Sequence, residues 1–420
     1  MAKSSPSKRA AKKPLRLPSS VSGDPLFGEP QPSSDPTKFR TPHGSDTQKY
    51  NELIKLLQQV PLPRGGAIEP VLTLAEVYGS AGAAKVKSIQ SAGQIVFHSV
   101  GDTGSVRGPN TQSLVADKMV SDFTEQNSAD IPSFFFHLGD VVYSFGEAMY
   151  YYDQFYEPYR EYQGPVVAIP GNHDGMIYTG DSAPTLDAFL RNFCAAAPDH
   201  TPEAGGLQRT AMIAPGAYFT FDAPFVRILG LYSNVLEDPG VISSQGNASS
   251  AVDDRQLAFL VAALKRAKAE KFTGAVIVAM HHPPFTYGTA HGGSPRMLQD
   301  LDQASQEAGF WPHAYFSAHA HNYQRYTRSV ANLSIPYLVA GAGGHNIVPL
   351  QKTGSGGLRT PLVVNKTLTL ENYDDSAYSY LRIVVDGVNL RIENHPASDG
   401  SGSKTPNDVV TVNLKTRALS

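Results

Sequence analysis

Five short polar clusters punctuate the chain: Gly101-Asp102-Thr103-Gly104, Gly139-Asp140-Val141-Val142-Tyr143, Gly171-Asn172-His173-Asp174, His281-His282-Pro283-Pro284 and Ala318-His319-Ala320-His321. They offer carboxylate, amide-oxygen and imidazole donors without a thiolate, a set that suits borderline to hard ions such as zinc, manganese or iron. A short His-x-His segment at a strand end can present both imidazoles to neighbouring ions. A central Asp can bridge two ions about 3.5–4 Å apart, and such a pair activates a shared water and clamps phosphoryl oxygens during in-line displacement. Singly, the groups read otherwise. Asp after Gly is an ordinary turn or helix-cap residue, Asn172 an ordinary turn residue, and Tyr143 a packing residue in a Tyr-rich stretch. Chemistry alone does not separate His281 from His282. Together, the five clusters favour the metal reading.

Something must bring these groups to one place. The intervals between Asp102, Asp140 and Asn172 each approximate one βαβ unit of roughly 30 residues or more. Successive parallel strands would then deliver all three to one sheet edge, the carboxyl edge at which open α/β sheets bind ligands. The apolar texture agrees. Strands are expected over Ile95–Val100, Ser133–Leu138, Pro165–Ile169 and Ala275–Met280, and another ends near Ala318. Helices are expected over Thr111–Gln126, Glu147–Tyr162, Asp253–Lys271 and Pro295–Ala308. Ala217–Asp222 and Phe225–Tyr232 read as adjacent antiparallel strands, and Asp386-Gly387 as a hairpin turn between Tyr380–Val385 and Val388–Glu393. His98 and His137 fall inside apolar strands and read as core or supporting groups. Gly341-Ala342-Gly343-Gly344-His345 lacks the Lys and the following helix of a phosphate loop and reads as a turn near the site mouth.

The order GD-x-G, GD-x-x-Y, GNHD, strand-end His and H-x-H resembles the calcineurin-like metallophosphoesterases, and within them the purple acid phosphatase branch. The resemblance covers about residues 95–395. It implies an α/β fold, a four-layer αββα sandwich with a strand-rich C-terminal segment. It also implies two metal ions. Asp102, Asp140, Tyr143 and His321 would hold one, with iron expected there. Asp140, Asn172, His281 and His319 would hold the other, as iron, zinc or manganese. His173 would face the substrate phosphate with Asp174 orienting it, and His291 matches a family histidine that binds phosphate or protonates the leaving group. Asn172, His282 and Arg325 are further candidates for contact with substrate, although a surface salt bridge is an equally good reading of Arg325. Two departures stand out. Gly104 occupies a position where the wider superfamily has a His ligand, for which Tyr143 is the replacement on offer, and Ala318 stands where the family usually has Gly. The implied activity is hydrolysis of phosphomonoesters by in-line attack of a metal-bound hydroxide. Phosphodiester hydrolysis on the same fold, or a non-catalytic scaffold, are the alternatives.

Composition bounds the rest. In 420 residues, 41% hydrophobic and 17% charged, there is material for one large catalytic domain with small appended pieces. A net charge of −3 argues against a dedicated nucleic-acid binder. The single cysteine, Cys194, excludes an intramolecular disulfide and cysteine-based zinc sites, and reads as a buried helix residue. Residues 1–45, rich in Pro, Ser and Lys, are expected to form a disordered basic tail. Residues 46–93 are expected to form an extension packing on the core, with a short helix over 48–60. Residues 94–395 would be the catalytic domain, completed by a loop and strand over 396–420. No stretch approaches the ~18 apolar residues of a membrane span, and no signal peptide is visible, so the expected compartment is cytoplasmic. The expected partner is a small phosphate ester, with neither nucleic acid nor membrane.

Overall fold

The computed structural model describes residues 60–105, 108–143, 145–176, 183–233, 240–245, 253–351, 357–397 and 404–420. The expected tail lies outside the described residues, as does the expected helix over 48–60 apart from Val60.

Strands follow in chain order as β1 (Val71–Thr73), β2 (Gln94–Val100), β3 (Phe135–His137), β4 (Val166–Ala168), β5 (Phe219–Ala223), β6 (Val226–Gly230) and β7 (Ala275–Ala279). Then come β8 (Ala314–Ser317), β9 (Tyr323–Val330), β10 (Leu333–Ala340), β11 (Leu362–Asn365), β12 (Leu368–Asp374), β13 (Ser379–Asp386), β14 (Asn389–Pro396) and β15 (Asp408–Asn413). Among the described residues they form two mixed sheets, ordered β15-β14-β13-β2-β3-β4 and β1-β5-β6-β7-β8-β10-β9-β12-β11.

The side-chain period of two explains the layering. In β7, Ala275, Ile277 and Ala279 face a core shared with Phe97, Phe136 and Val167 of the other sheet. The intervening Val276 and Val278 face a second core that holds Leu260, Leu264 and Leu301. A strand buried on both faces reads as an unbroken apolar run, as β7 does. The helices Arg255–Ala269 and Pro295–Ala308 cover this outer face. The second is well bounded. The Ser294 hydroxyl accepts the Met297 N–H at 3.1 Å, Pro295 follows, and Gly309 ends the helix in the left-handed region.

Register sets the functional edge. β2, β3 and β4 are parallel neighbours with Val100 opposite His137 and His137 opposite Ala168, so Asp102, Asp140 and Asn172 leave at one end. β7, β8 and β10 are likewise parallel, so His281, His319, His321 and His345 follow their carboxyl ends. The tail hairpin forms as expected, with the Asp386 carboxylate accepting the N–H groups of Val388 and Asn389.

One expected element differs. Over Glu147–Tyr162 the chain makes a 3-10 turn at Ala148–Tyr150 and a π-helical turn at Tyr152–Tyr156, not one long helix. Bulky rings at Tyr151, Phe155, Tyr156 and Tyr159 are all buried here, and the wider turn seats them. Cys194 caps the helix Asp187–Phe193, and burial pushes its thiol up to about 12. Among the described residues no helix is long and apolar enough to cross a membrane.

Candidate metal centre

Four of the seven expected donors sit on strained backbone. Asp102, Asp140, His319 and His321 have φ of +54°, +54°, +65° and +50°, a region that side-chain-bearing residues visit rarely and at some cost. Turning the chain this sharply lets backbone and side chain address the same point. The N–H of His319 donates to Asp102 Oδ2 at 2.7 Å, and the N–H of His173 donates to Asp140 Oδ1 at 2.9 Å.

The expected donors meet in two overlapping groups. Tyr143 Oη donates to Asp102 Oδ1 at 2.9 Å and lies 3.2 Å from His321 Nε2, which is 3.4 Å from the same carboxylate oxygen. The ligand atoms of Asp140, His281 and His319 lie within 4.8 Å of one another. His319 Nδ1 lies 3.1 Å from Asn172 Oδ1. His281 joins the groups, its Nε2 lying 3.3 Å from Asp140 Oδ2 and 3.8 Å from Asp102 Oδ1. The other nitrogen, Nδ1–H, donates to the Leu138 carbonyl at 2.9 Å, which turns the Nε2 lone pair inward.

A cation fits this pocket. Asp140 Oδ2, His281 Nε2, His319 Nε2 and His321 Nδ1 are buried without a hydrogen-bond partner, and buried polar groups without partners are rare in native proteins. The electrostatics agree. Burial opposes charge on Asp140, yet His281 and His173 outweigh it and hold the carboxyl far below its usual range. Burial likewise opposes charge on His281, but Asp140 and Asp102 raise it to about 9. Burial, and then the neighbouring imidazoles, push the His319 pKa well below the usual histidine value.

The shell behind these donors accounts for Gly104. A Cβ there would meet Gln154 Oε1 at 2.6 Å and Tyr143 Cδ2 at 3.0 Å, so the phenol occupies the space that a side chain at 104 would need. Gln154, on the π-helical turn, holds the Tyr143 backbone at both ends: its amide accepts the N–H and donates to the carbonyl, each at 2.9 Å. His137 accepts the Gly139 N–H at 3.1 Å and pairs with Thr103 at 2.8 Å, linking the two Asp loops. His98 bonds Asp122 at 2.9 Å within the core. Ala318 is accommodated because Gly101 faces its methyl group.

Two of the expected residues have structural partners. The Asp174 carboxylate accepts the N–H groups of Gly171, Val141 and Val142, which ties the Asp140 loop to the Asn172 turn. Arg325 makes a bidentate pair with Asp408 at 2.6 and 2.9 Å and lines a separate cleft of about 590 Å³ with Glu371 and Arg417. Arg325 is thus engaged in a salt bridge within the fold. It is strand β9 that aims it at β15.

Around the donors stand more imidazoles. The His291 ring lies 4.3 Å from His319 and 5.1 Å from His321, and burial pushes its pKa down to about 3. The His282 ring lies 4.2 Å from His319 and its Nδ1 is 3.0 Å from the Ser233 hydroxyl. The His173 ring lies 4.3 Å from Tyr143. Sequence reasoning passed over His345, which stacks on Tyr143 at 3.7 Å. Its only signal was a histidine closing a glycine-rich turn after an apolar strand.

The profile of the calcineurin-like phosphoesterase family matches residues 100–323. No curated protein matches the chain in sequence. Among solved structures, the purple acid phosphatase PPD1 from yellow lupin (Lupinus luteus) seeds superposes with a TM-score of 0.52 at 15% identity, covering 76% of this chain and 54% of that one. The chain therefore spans about half the length of the lupin protein. GAP50, described as the anchor in the inner membrane complex of Plasmodium, superposes with a TM-score of 0.52 at 14% identity, covering 77% of this chain and 89% of that one. At these identities the likeness concerns the fold.

Proposed function

The chain belongs to the calcineurin-like phosphoesterase family, and on that premise we propose that it is a dinuclear metal-dependent phosphomonoesterase of the purple acid phosphatase kind. The observation that carries this reading is the convergence of seven donors from two sheets on one pocket whose buried polar atoms lack partners. Asp102, Asp140, Tyr143 and His321 would hold one ion, and Asp140, Asn172, His281 and His319 the other. When bound, the pair supplies Lewis acidity that lowers the pKa of a water and neutralises phosphoryl oxygens.

The protein's own residues do the rest. Tyr143 is a phenol pushed well above its ordinary pKa by burial and by the Asp102 and Asp140 charges. It yields its proton only to a strong Lewis acid, which favours iron(III) at that position. His173, His282 and His291 surround the donors as hydrogen-bonding groups for the phosphate. A monoester presents three non-bridging oxygens and a diester two, so three such imidazoles suit the monoester. His291, kept neutral by burial, serves as an N–H donor to phosphate, which leaves His173 to protonate the departing alkoxide. The fold also occurs in a protein described as an anchor, so the complete donor set, not the architecture, supports catalysis here.

The test is elemental analysis of the purified protein with assays on aryl mono- and diesters. Two metals per chain and a kcat/KM at least ~10-fold higher on the monoester are expected, and Asp140→Asn should lower kcat at least ~100-fold. Unchanged activity in Asp140→Asn rejects the dimetal reading, and the reverse substrate order rejects the monoester assignment. A colourless, iron-free and fully active preparation rejects iron at Tyr143 while leaving the enzyme class standing.

A further inference from the structure

Beyond the donors themselves, we infer that His345 is a positioning residue for Tyr143, fixing the plane in which the phenol oxygen meets its ion. The inference deepens the reading of Tyr143 as a ligand and rests on it for its functional meaning.

His345 closes the loop that follows β10; two contacts press that loop onto the Asp102 turn, and a third ties it to the helix Asn110–Ser121. The His345 N–H donates to the Asp102 carbonyl at 3.0 Å, and its Nδ1–H donates to the Gly104 carbonyl at 2.8 Å. The Thr111 hydroxyl donates to the Gly344 carbonyl at 2.5 Å. Gly343 permits the approach, since a Cβ there would lie 2.2 Å from the Gly101 carbonyl oxygen. Anchored in this way, the His345 imidazole lies flat on the Tyr143 ring, with centroids 3.7 Å apart and planes 9° apart. Its edge meets His321 at 4.9 Å and 72°.

The consequence follows from how a phenol moves. A tyrosine ring hangs from one Cβ and turns about χ2 through a broad, roughly two-fold well. Gln154 fixes the Tyr143 backbone but does not fix that rotation. The stacked imidazole does, because a ring turned out of plane would run into it. Oη lies on the rotation axis and stays between Asp102 Oδ1 and His321 Nε2, so the stack sets the plane of its lone pairs and not its place. The angle at which a phenolate lone pair meets a metal governs their overlap, and hence both affinity and the energy of the charge-transfer band. His345 acts on the metal bond without touching the metal.

The test uses full-length protein and two readouts. In metal-free protein carrying ¹³C-labelled tyrosine rings, the Tyr143 resonance is identified by its loss in Tyr143→Phe, and its ring-flip rate is measured. His345→Ala should speed flipping at least ~10-fold, and His345→Phe, which retains a flat ring, should restore most of the slow rate. In iron-loaded protein, His345→Ala should shift the charge-transfer band and weaken iron binding about 10–100-fold, the range typical of groups that support metal ligands. If His345→Ala does not fold, His345→Asn takes its place. Unchanged flipping in the ring-less variant overturns the proposal. So does a His345→Phe variant that flips as fast as His345→Ala, since the hold would then come from the hydrogen bonds and not from the ring. An iron band that survives Tyr143→Phe would reject Tyr143 as a ligand, a failure separate from the ring-flip result.

Discussion

At the scale of the residue, the centre is built from groups kept in states they would leave if free to. His321, at φ +50°, illustrates the backbone part. Asn tolerates the left-handed region and a β-branched residue does not. In chelated protein we therefore expect His321→Asn to stay within about 1 kcal/mol of the parent and His321→Val to lose about 2 kcal/mol or more, as read by urea denaturation. Ionisation supplies the second prediction. His281 is raised to about 9 from an ordinary 6.5 by Asp140 and Asp102, against the opposing effect of burial. A group raised on folding adds stability that is fully present below pH 6.5 and lost as pH rises through 9. The melting temperature of metal-free protein should therefore fall between pH 6.5 and 9, while metal-loaded protein, whose Nε2 is no longer free to titrate, stays flat. A flat profile for the metal-free protein would remove His281 from the inward-facing set.

At the scale of the element, what matters is how the loops are tied together. Asp174 joins the turn after β3 to the turn after β4 through three backbone N–H groups. Substituting Ala leaves three buried donors unmet, each worth about 1–3 kcal/mol. Asp174→Ala should lose at least about 3 kcal/mol by denaturant midpoint and most of its bound metal, while Asp174→Asn retains part of both. If Asp174→Ala remained stable yet bound no substrate, its role would be at the phosphate after all. The π-helical turn belongs to the same scale. Such turns concentrate at functional sites, and this one carries Gln154 to the Tyr143 backbone.

At the scale of the whole molecule, the centre spans two sheets, with Asp102, Asp140 and Asn172 leaving one and His281, His319 and His321 leaving the other. The core between them therefore acts on the site from a distance. Phe221 of β5 packs edge-on against Phe134, just before β3, at 4.9 Å and lies 6.4 Å from Phe136 of β3 in the opposing sheet. We expect Phe221→Ala to lose about 3–5 kcal/mol and to lower metal affinity with every donor intact. Isothermal titration with zinc would check this, and unchanged affinity would mean that each sheet holds its donors independently.

Much of this was legible in the chain and some was not, for reasons that differ by residue. Asp102, Asp140, Asn172, His281, His319 and His321 could be found because each follows a strand whose apolar run is local, and donor chemistry belongs to the residue type. The helix Pro295–Ala308 was readable from its own cap and stop signals. β9 was not, because Gln324, Arg325, Thr327 and Arg328 hide an apolar face that exists only once β10 and β12 pair with it. The same pairing turned Arg325 toward Asp408. Asp174 showed its role only when two loops met, and His345 only when a turn more than two hundred residues away folded onto Tyr143. By itself the sequence determined the candidate donors, the strands that end at them and the family. Which groups touch, and therefore which ones hold others in place, was decided by tertiary structure, because contact between distant segments depends on register and layer stacking that no local pattern encodes.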